Sequence, residues 1–154
     1  MENASARNLW GDFLDAHLEF ASEDAPRVIH FYDNEKDANV CADLACKETK
    51  RAMSHALKGL QSRNEPLPKI GDFYVVTDWN GNAKCVIRTT SVKLLPYFSI
   101  RDEHARLEGE GDKSLDLWKN THWDYFSREL GQFGAAPKDS MIVVFEQFEM
   151  LYKK

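Results

Sequence analysis

The sequence predicts an α+β fold, a small mixed or mostly antiparallel sheet or barrel flanked by helices, and three features carry that prediction. Phe73–Thr77 and Lys84–Thr90 are β-prone runs on either side of Asp78-Trp79-Asn80-Gly81-Asn82, and Asn-Gly is a strong hairpin signal. Met141–Tyr152 is a third run rich in Ile, Val and Phe, which must pair with the hairpin if one core is to form. Amphipathic stretches at 3–20 and about 114–130 supply helices to cover that sheet.

Taken in order, residues 3–20 place Leu9, Trp10, Phe13, Leu14, His17 and Leu18 on one helical stripe, with Asp12, Asp15 and Glu19 opposite. Pro26 closes that segment, and Val28–Tyr32 reads as a short strand ended by Asp33-Asn34. Asn34 can cap a second helix whose first turn holds Glu35 and Asp37, with Val40, Cys41, Leu44 and Ala45 as its buried face. Periodicity leaves two options beyond it: a helix running on to Leu60, or a break near Lys50. Glu65-Pro66-Leu67-Pro68 is an extended linker, because each proline restrains itself and its predecessor. After the hairpin, Ser91–Leu95 extends the second strand, and Ile100, His104 and Leu107 share a face of a short helix over 99–107. Glu108-Gly-Glu-Gly-Asp112 then forms a tight acidic bend before Ser114 caps the last helix, whose face carries Leu115, Trp118, His122 and Phe126. Gly131 and Gly134 mark its end.

The totals bound the function. A chain of 154 residues suits one core, and no apolar run approaches the ~20 residues a membrane helix requires. Glu2, Arg7 and Asp12 interrupt the apolar core that a secretory leader needs. Cys41, Cys46 and Cys85 are odd in number and lack zinc-ligand spacing, so free thiols in a reducing cytoplasm are expected. The net charge of −5 hides an asymmetry. Residues 47–101 hold ten Lys/Arg against four Asp/Glu, whereas residues 1–46 hold three against ten. The middle third is therefore where a polyanion would be met.

Several motifs now agree in order and spacing with one family. Glu65-Pro-Leu-Pro-Lys-Ile-Gly-Asp72, the hairpin with Thr89-Thr90 downstream, and Glu108–Trp118 with His122 and Phe126 resemble the ASCH domain over about residues 28–153. The resemblance implies a PUA-like β-barrel over 28–154, with 1–27 as a helical extension packed on it. It also implies an RNA-handling protein: a binding module, a ribonuclease, or an amidohydrolase acting on acetylated cytidine. The amidohydrolase branch uses a Lys-x-x-Thr segment and a glutamate of the acidic stretch. Lys50 matches the lysine and Glu108 the glutamate, but Met53 stands at the threonine position, and a thioether cannot form an acyl intermediate. Glu48-Thr49 replaces the usual preceding glycine, Ser54 lies one residue beyond Met53, and His55 replaces a small polar residue.

The expected function is thus an RNA- or nucleotide-binding domain whose cleft is lined by Lys50 and Glu108. Lys47, Lys50, Arg51, Arg88 and Lys93 would hold phosphate, and Tyr74 and Trp79 would stack bases. The alternatives are a hydrolase and an interaction scaffold without catalysis. A ribonuclease would use Lys50 and His55, with His55 taking a proton from a ribose hydroxyl and Lys50 stabilising the phosphorane charge, and Glu108 is the further catalytic candidate. His122 reads as a buried, hydrogen-bonded histidine. Glu110 and Asp112 either join Glu108 around Mg²⁺ or, the preferred reading, cap and orient the last helix. No cofactor and no metal is called for, and no membrane partner.

Overall fold

A computed structural model describes residues 1–154. Five strands form one curled sheet in the order β1-β3-β4-β5-β2: Arg27–Ile29 (β1), Ala52–Ala56 (β2), Phe73–Thr77 (β3), Ala83–Pro96 (β4) and Ile142–Lys153 (β5). β1 runs parallel to β3 and every other pairing is antiparallel, as the hairpin and the last strand predict. β4 is long enough to pair with β3 over its first half and with β5 throughout. Register shifts at Val86/Ile87 and Thr89/Ser91 bend it, and that bend curls the sheet into a half-barrel. Edge strands β1 and β2 do not meet, and the gap between them is the mouth of a cavity.

Five helices cover the sheet: Ala4–Ala16 (α1), Glu35–Cys46 (α2), Leu57–Ser62 (α3), Asp102–Glu108 (α4) and Leu115–Gly131 (α5). Alternation along β3 sorts the core. Tyr74 and Val76 face inward with Cys85, Ile87, Met53 and Phe148, while Phe73 and Val75 face outward beneath Leu9, Trp10 and Phe13 of α1. A third cluster packs Trp118, Phe126 and Leu130 of α5 against Val143 and Ala56. The expected caps are present: Asn34 accepts from the Asp37 N–H at 2.9 Å and Ser114 from the Leu117 N–H at 3.1 Å.

Three local readings need correction, and one alternative is decided. α1 stops at Ala16 and a 3-10 turn follows, which leaves Leu18 exposed rather than on the buried stripe. In α2, Ala38 and Ala42 join Cys41 and Ala45 inside, whereas Val40 is exposed, because the helix packs through its small residues. The first strand ends at Ile29, so Phe31 and Tyr32 leave the sheet and turn over the cavity. Of the two options beyond α2, the break near Lys50 holds: the helix ends at Cys46 and residues 52–56 form β2. Pairing with β5 overrides the helix propensity of Ala52, Met53 and Ala56.

Candidate functional site

Lys50 and Glu108 are 58 positions apart, and two backbone segments lying side by side bring them together. The Arg51 N–H donates to Leu107 O at 2.7 Å, and the Thr49 and Lys50 N–H groups both turn back to Leu44 O. Gly109 adopts φ 69°, and a Cβ there would collide with the Thr49 carbonyl. That close approach is the physical reason for glycine after Glu108. Glu48 also sits at positive φ, 63°, a conformation glycine adopts more cheaply, at the turn where the family's glycine is expected.

The Lys50 ammonium donates to Glu108 Oε1 at 3.0 Å and to Glu110 Oε2 at 2.7 Å, and it lies 5.2 Å from the centre of the Phe31 ring. Lys50 is 2% exposed and Glu108 1%. The other Glu108 oxygen, Oε2, accepts from the Ser54 hydroxyl at 2.5 Å and the Trp118 indole N–H at 2.7 Å, with His122 Nε2 at 3.5 Å. Glu110 Oε1 accepts from the Tyr32 hydroxyl at 2.6 Å. The left-handed backbone of Tyr32, φ 59°, aims its ring into the site. His122 is buried and hydrogen-bonded, its Nδ1–H donating to Trp118 O at 2.9 Å.

These contacts determine protonation. Burial alone would raise the Glu108 carboxyl, but the Lys50 ammonium, His122 and the Ser54 hydroxyl outweigh it and hold the group well below the usual carboxylate range. Burial opposes charge on Lys50 too, yet Glu110 and Glu108 raise it above an ordinary lysine. Burial, then the two carboxylates, push the Tyr32 phenol well up. Burial also pushes the nearby Cys41 thiol up to about 12, so it is no nucleophile. Lys50, Glu108 and Glu110 thus form a buried cluster of paired charges.

Glu108, Glu110 and His122 each bring one potential ligand atom within 4.8 Å of the others. Both carboxylates already face the Lys50 ammonium, so the lysine supplies the cation they need. Asp112 takes no part: it accepts from the Ser114 N–H at 2.9 Å and orients α5. The preferred capping role therefore describes Asp112 but not Glu110, which completes the ion-pair cluster.

Above this cluster opens a cavity of about 200 Å³. Lys50, Met53, Ser54, His55, Tyr74 and Glu108 all line it. Its aromatic walls are Phe31, Tyr32, Tyr74 and Tyr125, and Arg27 and Arg63 stand at its mouth. The Pro66–Pro68 linker forms part of one wall. An ion-pair chain steadies that wall: Glu65 accepts from Arg27 and Arg63, and Arg63 also bonds Glu129.

The other expected RNA contacts lie elsewhere. Lys47 is exposed at the C-terminal cap of α2 and pairs with Asp43 at 2.8 Å. Arg51 points outward and donates to Glu48 O. Arg88 stacks on Phe20 and Phe73, on the sheet face opposite Tyr74, and so fastens the N-terminal segment. Lys93 is exposed on β4, in register with Phe145. Trp79 is 40% exposed and sits edge-on to His30, 5.0 Å between centres, beside the cavity rim but outside its lining.

Sequence reasoning missed Tyr32, Arg27, Arg63 and, above all, Glu146. Fully buried, Glu146 accepts from Thr89 Oγ1 at 2.6 Å and Tyr74 at 2.9 Å, and its Oε1 lies 2.8 Å from His55 Nε2. A signal was present: Glu146 shares strand parity with Val144 and Phe148, so an acid occupies an inward position of an apolar strand.

The curled sheet, the covering helices and the cleft between its edge strands define a PUA-like half-barrel with a buried ion pair under an open cavity. A family model described as the ASCH domain matches residues 27–152, and the chain belongs to that family. It is similar to the ASCH domain of Lactobacillus crispatus JV V101, with 32% identity and TM-score 0.90 over 95% of this chain and 93% of that one. It is also similar to protein EF3133 of Enterococcus faecalis V583, with 27% identity and TM-score 0.85 over 96% and 88%. No curated protein matches it. No helix is long and apolar enough to cross a membrane.

Proposed function

We propose that the cavity binds a single nucleoside or nucleotide unit, free or displayed by RNA, and that recognition rather than turnover is its role. The observation that carries this reading is the cavity itself: about 200 Å³, walled by Phe31, Tyr32, Tyr74 and Tyr125 over a fixed charge cluster. Drug-sized ligands take roughly 300–1,000 Å³, so the space suits one base and its sugar rather than a length of strand. Aromatic walls favour a flat ring, with stacking worth ~1–3 kcal/mol per base. Arg27 and Arg63 at the mouth suit a phosphate attached to that sugar. Lys50 does not serve as the phosphate ligand in this reading, because its ammonium is buried between two carboxylates.

Chemistry by the family's amidohydrolase route finds little support. Met53 is packed in the inner core, and the Ser54 hydroxyl is spent on Glu108. Its one side-chain partner, Glu108, is held too acidic to take its proton, and Lys50, on the other oxygen of that carboxylate, holds its own. The ribonuclease alternative retains one favourable observation, the placement of His55 on the cavity wall. Three free thiols suit a reducing compartment, in keeping with a cytoplasmic setting.

Calorimetric titration of the four ribonucleosides and their 5′-monophosphates, at ~50 and ~200 mM salt, tests the reading. Nucleoside binding that changes less than about twofold with salt is expected, since no phosphate is neutralised, whereas a strand held by 6–10 phosphates would lose about 10³–10⁵. Failure of every nucleoside and nucleotide to bind would overturn the proposal.

A further inference from the structure

Glu146 lies outside the Lys50–Glu108 cluster, on the inner surface of the half-barrel, and no oxygen of its carboxylate is idle. Oε2 takes the hydroxyls of Thr89 and Tyr74, and Oε1 faces His55 Nε2 at 2.8 Å. A carboxylate accepting two O–H bonds in a fully buried site accepts from the ring as well, so Nε2 carries the hydrogen and, in the neutral ring, Nδ1 carries the lone pair. His55 Nδ1 has no protein partner and is not buried. The ring belongs to the cavity wall, with 27% of the side chain exposed.

The deep carboxylate of the cavity contrasts with this nitrogen. Glu108 is occupied by Lys50, Ser54 and Trp118. His30 also lines the cavity, but it is exposed and leans on Trp79 with no carboxylate to orient it. His55 is therefore a ring whose free acceptor is aimed by a buried charge.

We propose that Glu146 positions His55 as the cavity's ligand-reading acceptor, so that the site selects molecules presenting an N–H or O–H donor to that wall. The proposal rests on the nucleoside reading for its ligand class, where the donor is either a base-edge N–H or a ribose hydroxyl. A ligand lacking that donor leaves Nδ1 desolvated without a partner, and selectivity follows from that penalty. Glu146 is a positioning residue, held in turn by Tyr74 and Thr89.

Nitrogen-15 NMR of the His55 ring in the free protein, under conditions where the ring is neutral, tests the positioning. The Nε2–H tautomer is expected in the wild type, and Glu146→Gln should erode that preference. An Nδ1–H tautomer in the wild type overturns the proposal without any variant needing to fold. The reading role is tested with His55→Phe, which keeps a ring and removes the acceptor. Whichever ribonucleoside binds the wild type should bind this variant three- to tenfold more weakly, and an N-methylated or 2′-deoxy analogue that lacks the donor should show no such difference. The methylated arm points to a base edge and the deoxy arm to a ribose hydroxyl. Equal loss for every analogue, or none for any, overturns the selection. If nothing binds the wild type, the nucleoside reading fails, while the tautomer still decides the Glu146–His55 pair.

Discussion

At the residue scale, Lys50 and Glu108 show how a recognisable pair can have a role its residue types do not announce. A lysine and a glutamate beside a cleft suggest a phosphate ligand and a proton acceptor. Burial with Glu110, Ser54, Trp118 and His122 joins them in a charged cluster at the cavity floor. Removing one partner strands the others, so Lys50→Met should cost about 3–5 kcal/mol in urea unfolding at neutral pH. The pH dependence follows from the directions of shift. Glu108 is held below its unfolded value, so its pairing stabilises the fold above ~pH 4.3 and is lost as pH falls through the lower folded value. Lys50 is held above its unfolded value, so its contribution is complete below ~pH 10.4 and is lost only as pH rises through a still higher value. Unfolding measured between pH 2 and 7 should therefore show an acid limb that flattens in Glu108→Gln. An unchanged limb would mean that other carboxylates govern acid unfolding. Glu146 escaped notice because one acid in an apolar strand looks like a surface residue until its inward register is known.

At the scale of elements, the hairpin, the last strand and the capped helices were legible because local rules and packing agree there. β2 was not. Ala52, Met53 and Ala56 favour helix locally, and only pairing with β5, about 90 residues away, makes them a strand. That pairing also decides the fate of the family's nucleophile position, since it packs Met53 into the inner core and points Ser54 at Glu108. The turn before this strand meets the turn after α4 where Thr49 lies against Gly109. Glu48→Gly should stabilise the protein by about 0.5–1 kcal/mol, relief of a left-handed residue partly offset by glycine's unfolded-state entropy. Gly109→Ala should do the reverse, by more than ~2 kcal/mol, because its methyl meets backbone rather than a movable side chain. Thermal unfolding of the two variants checks both signs, and a neutral Gly109→Ala would show that the two turns can separate.

At the scale of the whole molecule, charge counting located a basic middle third but not a basic face. Lys47 is paired at the C-terminal end of α2, Arg88 lies under the N-terminal segment, and Lys93 is on the distal part of β4, so these three do not line the cavity. The concave feature that does emerge lies between the unpaired edges of β1 and β2, where the half-barrel stays open. Nitrogen–proton correlation spectra recorded through a titration with the ribonucleosides test a binding function confined to that gap. Saturable shifts are expected on the amides of Phe31, Tyr32, Ser54 and His55 and on the Trp118 indole, with little change at Lys47, Arg51, Arg88 or Lys93. Shifts confined to those four basic residues, or an unchanged spectrum at millimolar nucleoside, would contradict it.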